Sequence, residues 1–103
     1  MKIVDEPLLD RFRASRRCEW CARTSFGGCD PHHLWARGHG GGGRLDVAIN
    51  LIALCRACHG DAHDGRIARY DLLAVVATRE KTTQDAITAE IWRLLRAPKG
   101  SAV

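Results

Sequence analysis

The sequence predicts a small α+β domain stapled by a metal ion, and three observations carry that reading. The chain has only 103 residues, and one so short buries a limited fraction of its surface and gains from a staple besides its core. Four of its five cysteines fall into two C-x-x-C pairs, Cys18/Cys21 and Cys55/Cys58. The segments around them alternate short apolar runs of strand length with longer runs of helical period.

In chain order, Asp5-Glu6-Pro7 followed by Leu8, Leu9 and Phe12 marks a helix start, with acids at its positive end and proline in the first turn. Arg11, Arg13, Arg16 and Arg17 ride on or just after this helix. They read equally as a solvated face and as an arm that contacts phosphate. Cys18 to Cys21 is a tight knuckle, and Thr24 to Pro31, with two glycines and a proline, is a loop. His33 to Ala36 is the first candidate strand. Arg37 to Asp46 contains Gly38 and the run Gly40 to Gly43, so a mobile loop is expected there. Val47 to Leu54 is apolar except at Asn50, which puts the second strand at Leu51 to Leu54. From Arg56 a helix carries Cys58, His59 and His63 and stops at Gly65. Tyr70 to Val76 and Ala86 to Leu95 are two further helices, the second opened by Thr82 or Thr83 and closed by Pro98. They are expected to form an antiparallel pair packed on the metal module. The parts are thus an arm over 1–17, a stapled core over 18–65, a helical pair over 66–98 and a frayed tail over 99–103, within one domain.

Lys and Arg number 16 against 12 Asp and Glu, a net charge of +4. This mild excess, mostly arginine, is compatible with a phosphate-bearing partner. No apolar run has the length of a membrane span, and the N-terminus lacks the apolar stretch of a secretory signal, so a cytoplasmic protein is expected. In a reducing compartment the paired cysteines favour a metal over disulfides. Cys18, Cys21, Cys55 and Cys58 suit one tetrahedral Zn²⁺ in a closed, structural site. Cys29 is left as a free thiol.

The histidines crowd into Asp30 to Gly65 and form a second set. His59 and His63, four apart on a helix, present both imidazoles to one ion. His32 and His33 are neighbours on a strand, so they face opposite sides: one suits the same ion and the other is free for another task. His39 in the glycine loop competes as ligand or base, although an exposed loop histidine is the favoured reading. Asp30 and Asp46 are nearby carboxylates of the kind that metal-bound imidazoles commonly need as partners.

The order Cys18-x-x-Cys21, His32-His33, Arg37, a glycine-rich loop, Asn50-Leu51, Leu54-Cys55-x-x-Cys58-His59 and His63 resembles the HNH nucleases, whose fold is a zinc-bound ββα-metal unit. The resemblance covers Cys18 to about Gly65. It implies that His33 is the general base that activates water, that His32, His59 and His63 hold a catalytic divalent metal, and that Asn50 holds the loop and orients the base. It places Arg37, more weakly, near the phosphate. It further implies double-stranded DNA as substrate, addressed through the minor groove. Small members of this kind often belong to phages or prophages.

The chemistry is consistent with that resemblance. Phosphodiester hydrolysis needs a base that titrates near neutral pH and a cation to stabilise charge on the phosphorane and the leaving 3′ oxygen. Three imidazoles favour Zn²⁺, Ni²⁺, Mn²⁺ or Co²⁺ over Mg²⁺, and an aspartate at position 32 would shift the balance towards Mg²⁺. The function expected is a metal-dependent DNA endonuclease that nicks or cuts both strands. So little additional sequence leaves little surface for reading bases, and weak sequence preference and a directing protein partner are expected. Trp92, with Ile91 and Leu95, is where a second copy would meet the first. The alternative from another class is a non-catalytic zinc module that binds nucleic acid or protein. A zinc hydrolase of the H-E-x-x-H kind is excluded because the motif is absent.

Overall fold

The structure, a computed structural model, describes residues 2–35 and 44–96. Helix α1 (Glu6–Arg13) begins where the acids and proline predict, with the Asp5 carboxylate accepting the Leu8 N–H at 3.0 Å. Strands β1 (Asp30–His33) and β2 (Leu51–Leu54) form an antiparallel pair in which Asp30 faces Leu54 and His33 faces Leu51. A single 3₁₀ turn, Ala48–Asn50, leads into β2. Helix α2 (Arg56–His63) follows β2 directly, and α3 (Arg69–Arg79) and α4 (Gln84–Arg96) complete the order. The result is a small α+β fold in which β1, β2 and α2 form the central unit, with one helix before it and two after.

β2 lies at the centre of the core, with all four of its residues buried. Leu45, Ile52, Leu54, Leu72, Leu73, Val76, Ile87 and Ile91 make one cluster around it. Each such side chain, fully buried, stabilises the fold by about 1.5–3 kcal/mol. Helix α3 packs on β2 and on the 3₁₀ turn, and α4 packs on α3 and on the same turn. On α4 the i, i+4 pair Ile87 and Ile91 is buried, while Leu94 and Leu95 flank the cluster. Thr83 caps this helix by accepting the Ala86 N–H at 3.0 Å.

The far edge of β2 is covered by the cysteine knuckle. Both backbone groups of Ala53 bond to Glu19: its carboxylate accepts the Ala53 N–H at 2.7 Å and its N–H donates to the Ala53 carbonyl at 2.9 Å. Arg79, at the end of α3, then grips the same carboxylate at 2.9 and 3.0 Å and donates to the Ala48 carbonyl. One glutamate inside the C-x-x-C pair therefore joins knuckle, sheet and C-terminal helix.

Three expectations are corrected. The first strand runs over Asp30–His33 rather than His33 to Ala36, so the predicted loop ends before Asp30. Pro31 tolerates this place because a two-stranded sheet leaves an unpaired edge. Beyond His33 the backbone leaves β2, and the Leu34 N–H bonds instead to the Asn50 carbonyl. Second, the last three residues of the expected mobile loop are fixed. Leu45 is fully buried and bridges Ile3, and Asp46 is 1 % exposed. The rest of that loop, with Arg37 and His39, lies outside the described residues, as do Pro98 and the tail. Third, Ile91 belongs to the core and is not available to a second copy, although Trp92 beside it is exposed.

Candidate metal centres and active site

The knuckle and the N-terminus of α2 bring the four paired cysteines together. Their sulfurs lie within 4.8 Å of one another, with Cys21 and Cys55 Sγ 3.9 Å apart. A tetrahedron with Zn–S bonds of about 2.3 Å has edges of about 3.8 Å, so the spacing fits that ion. The knuckle turn is built for thiolate. The Cys21 N–H faces Cys18 Sγ at 3.5 Å, and Ala22, at φ +64°, closes the turn with its N–H donating to the Cys18 carbonyl at 3.0 Å. Burial alone raises the Cys18 thiol, but the surrounding backbone N–H groups outweigh it and hold the group at about 7. Burial and the contact with three other thiols push Cys58 upward, a conflict that a cation removes. Cys29 is buried outside this group, and burial raises its thiol too.

The second cluster joins β1 to α2. Ligand atoms of His32, His59 and His63 also lie within 4.8 Å of one another. The His32 ring meets the other two edge-on, with centroids 5.3 Å away in each case. His59 Nδ1 faces the Asp30 carboxylate at 3.0 Å, so with Nδ1–H donated there its Nε2 carries the lone pair. That Nε2 lies 3.0 Å from His63 Nε2. Two imidazole nitrogens converge this way only around a shared proton or a cation. Burial, then the neighbouring histidines, lower His32 to about 4, which keeps its ring neutral and its lone pair available at pH 7. Three nitrogen donors leave coordination positions open to water or substrate, as catalysis requires.

His33 stands beside this cluster and outside it. Its Nε2 meets the Asp46 carboxylate at 2.8 Å. Burial would raise Asp46, but Arg44, the Asp5 N–H and His33 together bring it down to about 2. A carboxylate that stays ionised fixes the tautomer: Nε2 carries the proton and Nδ1 the lone pair. Arg44 binds both oxygens of Asp46, at 3.0 and 2.8 Å, and Asp5 N–H donates to one of them at 2.8 Å. His32, His33, His59 and His63 line a cleft of about 280 Å³, with Leu34, Ile67 and Arg69 on its walls.

Asn50 is completely buried and makes three hydrogen bonds. Its Oδ1 accepts the Trp35 N–H at 2.9 Å, and its Nδ2 donates to the carbonyls of Trp35 and Leu45 at 3.1 and 3.0 Å. It thereby ties the exit of β1, just after His33, to the residue before Asp46. Residues 18–65 match the family model described as HNH endonuclease. That stretch is similar to an HNH endonuclease domain. No curated protein and no solved structure matched the chain.

Within the matched stretch, the expected ligand set and the expected base are brought to one cleft, and the expected asparagine stands behind them. Two carboxylates that the sequence left unplaced now have partners: Asp30 serves His59, and Asp46 serves His33. Arg44, which grips Asp46, and Arg69, on the cleft wall beyond the matched stretch, were not singled out from sequence. Of the basic run on α1, Arg13 is held by Asp10 and Glu6 at 2.7 and 3.4 Å, the behaviour of a solvated face.

Proposed function

We propose that this protein is a metal-dependent endonuclease that hydrolyses phosphodiester bonds of DNA. The observation that carries the proposal is a histidine held by an ionised carboxylate at the edge of a three-histidine cluster without being part of it. A binding module has no use for that arrangement.

His33 is the general base. Its Nδ1 removes a proton from a water that attacks phosphorus, and the imidazolium so formed is stabilised by Asp46, which remains ionised because Arg44 compensates its charge. His32, His59 and His63 would hold a divalent ion, with Asp30 fixing the orientation of His59. When bound, that ion supplies positive charge at the phosphate and at the departing 3′ oxygen. Asn50 contributes no proton. It keeps the backbone beyond His33 fixed against the segment that carries Asp46. The four-cysteine cluster would hold Zn²⁺ as the structural staple. One chain contains one such cleft among its described residues, so nicking of one strand at a time is the expected product, with little sequence preference.

Supercoiled plasmid cleavage tests this with Mg²⁺, Mn²⁺, Ni²⁺, Co²⁺ or Zn²⁺ added in turn, beside His33→Ala with its zinc content verified. The expected result is nicking that depends on the added metal and falls by about 10²- to 10⁴-fold in the folded, zinc-replete variant. DNA binding without cleavage under every metal would instead identify a binding module, and cleavage unchanged in His33→Ala would remove the base assignment.

A further inference from the structure

Helix α3 opens beside the histidine cleft, outside the stretch that matches the HNH family. Its first residue, Arg69, lines the cleft together with His32, His33, His59 and His63. The guanidinium carbon lies over the buried Trp35 ring, 5.0 Å from its centroid. Stacking on an aromatic face restrains the planar fork and leaves its edge N–H groups free to donate.

The cleft's carboxylates are already engaged. Asp30 holds His59, with Arg56 at 3.5 Å, and Asp46 holds His33 and Arg44. Among the described residues no carboxylate lies within ion-pair distance of Arg69, whereas Arg13, Arg44, Arg66, Arg79 and Arg93 each have one. Arg69 is exposed on the cleft wall, so its positive charge has room for a partner from outside the chain. A fork of fixed orientation, without an internal anion and beside a general base, matches phosphate oxygens bidentately.

We propose that Arg69, seated on Trp35, binds the non-bridging phosphate oxygens of the DNA strand that enters the histidine cleft and so sets the scissile phosphate against His33. This rests on the nuclease reading above. It makes Arg69 a substrate-binding residue supplied by the C-terminal helices, which thereby do more than fill the core.

The test measures DNA affinity in the His33→Ala background, in which the complex persists uncut. A short labelled duplex is titrated at several salt concentrations against His33→Ala, His33→Ala/Arg69→Ala and His33→Ala/Arg69→Lys, with Co²⁺ present and its visible spectrum reporting occupancy of the histidine site. Loss of one phosphate contact is expected to weaken binding about three- to tenfold and to reduce the slope of log K against log salt by about 1. Lysine should restore the slope but only part of the affinity, because it keeps the charge and loses the stacked fork. The Co²⁺ spectrum should be unchanged. Equal affinity and slope in the alanine variant, while the otherwise unaltered protein still cleaves plasmid, would overturn the assignment of Arg69 and leave the nuclease standing. Failure of the unaltered protein both to cut and to bind DNA would overturn both.

Discussion

At the scale of single residues, the decisive pair is His33 and Asp46. The sequence singled out His33 as the expected base, and Asn50 behind it, through resemblance to a known order, with Asn50 also visible as the interruption of an apolar run. Asp46 was visible only as a nearby acid. Its pairing depends on how the chain returns after residue 43 and on a backbone bond from Asp5, 41 positions away, neither of which leaves a local signature. Asp46→Asn is expected to lower the turnover of plasmid cleavage on the order of 10²-fold with little change in KM, because the amide no longer stabilises the imidazolium. The same variant reports on stability. The folded-state value of about 2 lies below the usual carboxylate value near 3.9, so ionised Asp46 contributes about 2–3 kcal/mol that is fully present above pH 4 to 5. That contribution is lost as the pH falls through about 2. Denaturant unfolding of the two proteins should therefore differ most near neutrality, and the gap should narrow on acidification.

At the scale of elements, β2 and α2 were legible and β1 was displaced. Leu51 to Leu54 is an uninterrupted apolar run, and α2 ends at a glycine, whose φ of +81° completes a C-terminal motif in which Arg66 N–H donates to the Asp61 carbonyl at 2.8 Å. β1 escaped because half of it, Asp30 and Pro31, has a loop composition, and because register against β2 rather than propensity decides it. The end of α3 repeats the motif of α2 with a residue that gives no sign of it. Lys81 takes φ +57°, and Thr82 N–H donates to the Ala77 carbonyl at 3.0 Å. A lysine there bears the steric penalty that glycine avoids. Lys81→Gly should thus stabilise the protein by about 0.5–1 kcal/mol and raise Tm in a thermal melt, with cleavage activity unaltered. A lower Tm would mean that the lysine stem makes packing contacts worth more than the strain.

At the scale of the whole molecule, two clusters of potential metal ligands meet on one helix. Cys58 and His59 are adjacent, one turned to the thiol cluster and the other to the cleft. The paired cysteine spacing made the four-cysteine cluster readable across the 34 positions from Cys21 to Cys55. What spacing did not reveal is that Glu19 and Arg79 extend the knuckle's hold to α3. Removing the structural ion should accordingly unfold the C-terminal helices as well as the knuckle. Chelation, or Cys21→Ser, is expected to abolish most helical circular dichroism in one cooperative transition, consistent with metal coupling on the order of 10 kcal/mol. Survival of the helical signal after the zinc is gone would show that α3 and α4 stand without the staple. No helix of the described residues is long and apolar enough to cross a membrane.

The start of the chain has a further bearing on the cleft. Ile3 accepts the Asp46 N–H at 2.9 Å and donates to the Arg44 carbonyl, and two residues on the Asp5 N–H reaches the Asp46 side chain itself. These few residues precede the HNH match and carry none of its motif, yet they brace the carboxylate that holds His33, the proposed base. For a protease, or for anyone attaching a tag or carrier, these residues are therefore a sensitive flank: on the proposed reading, a clip between Ile3 and Asp5, ahead of α1, would loosen Asp46 and with it His33 while the cysteine cluster and the helices remained in place.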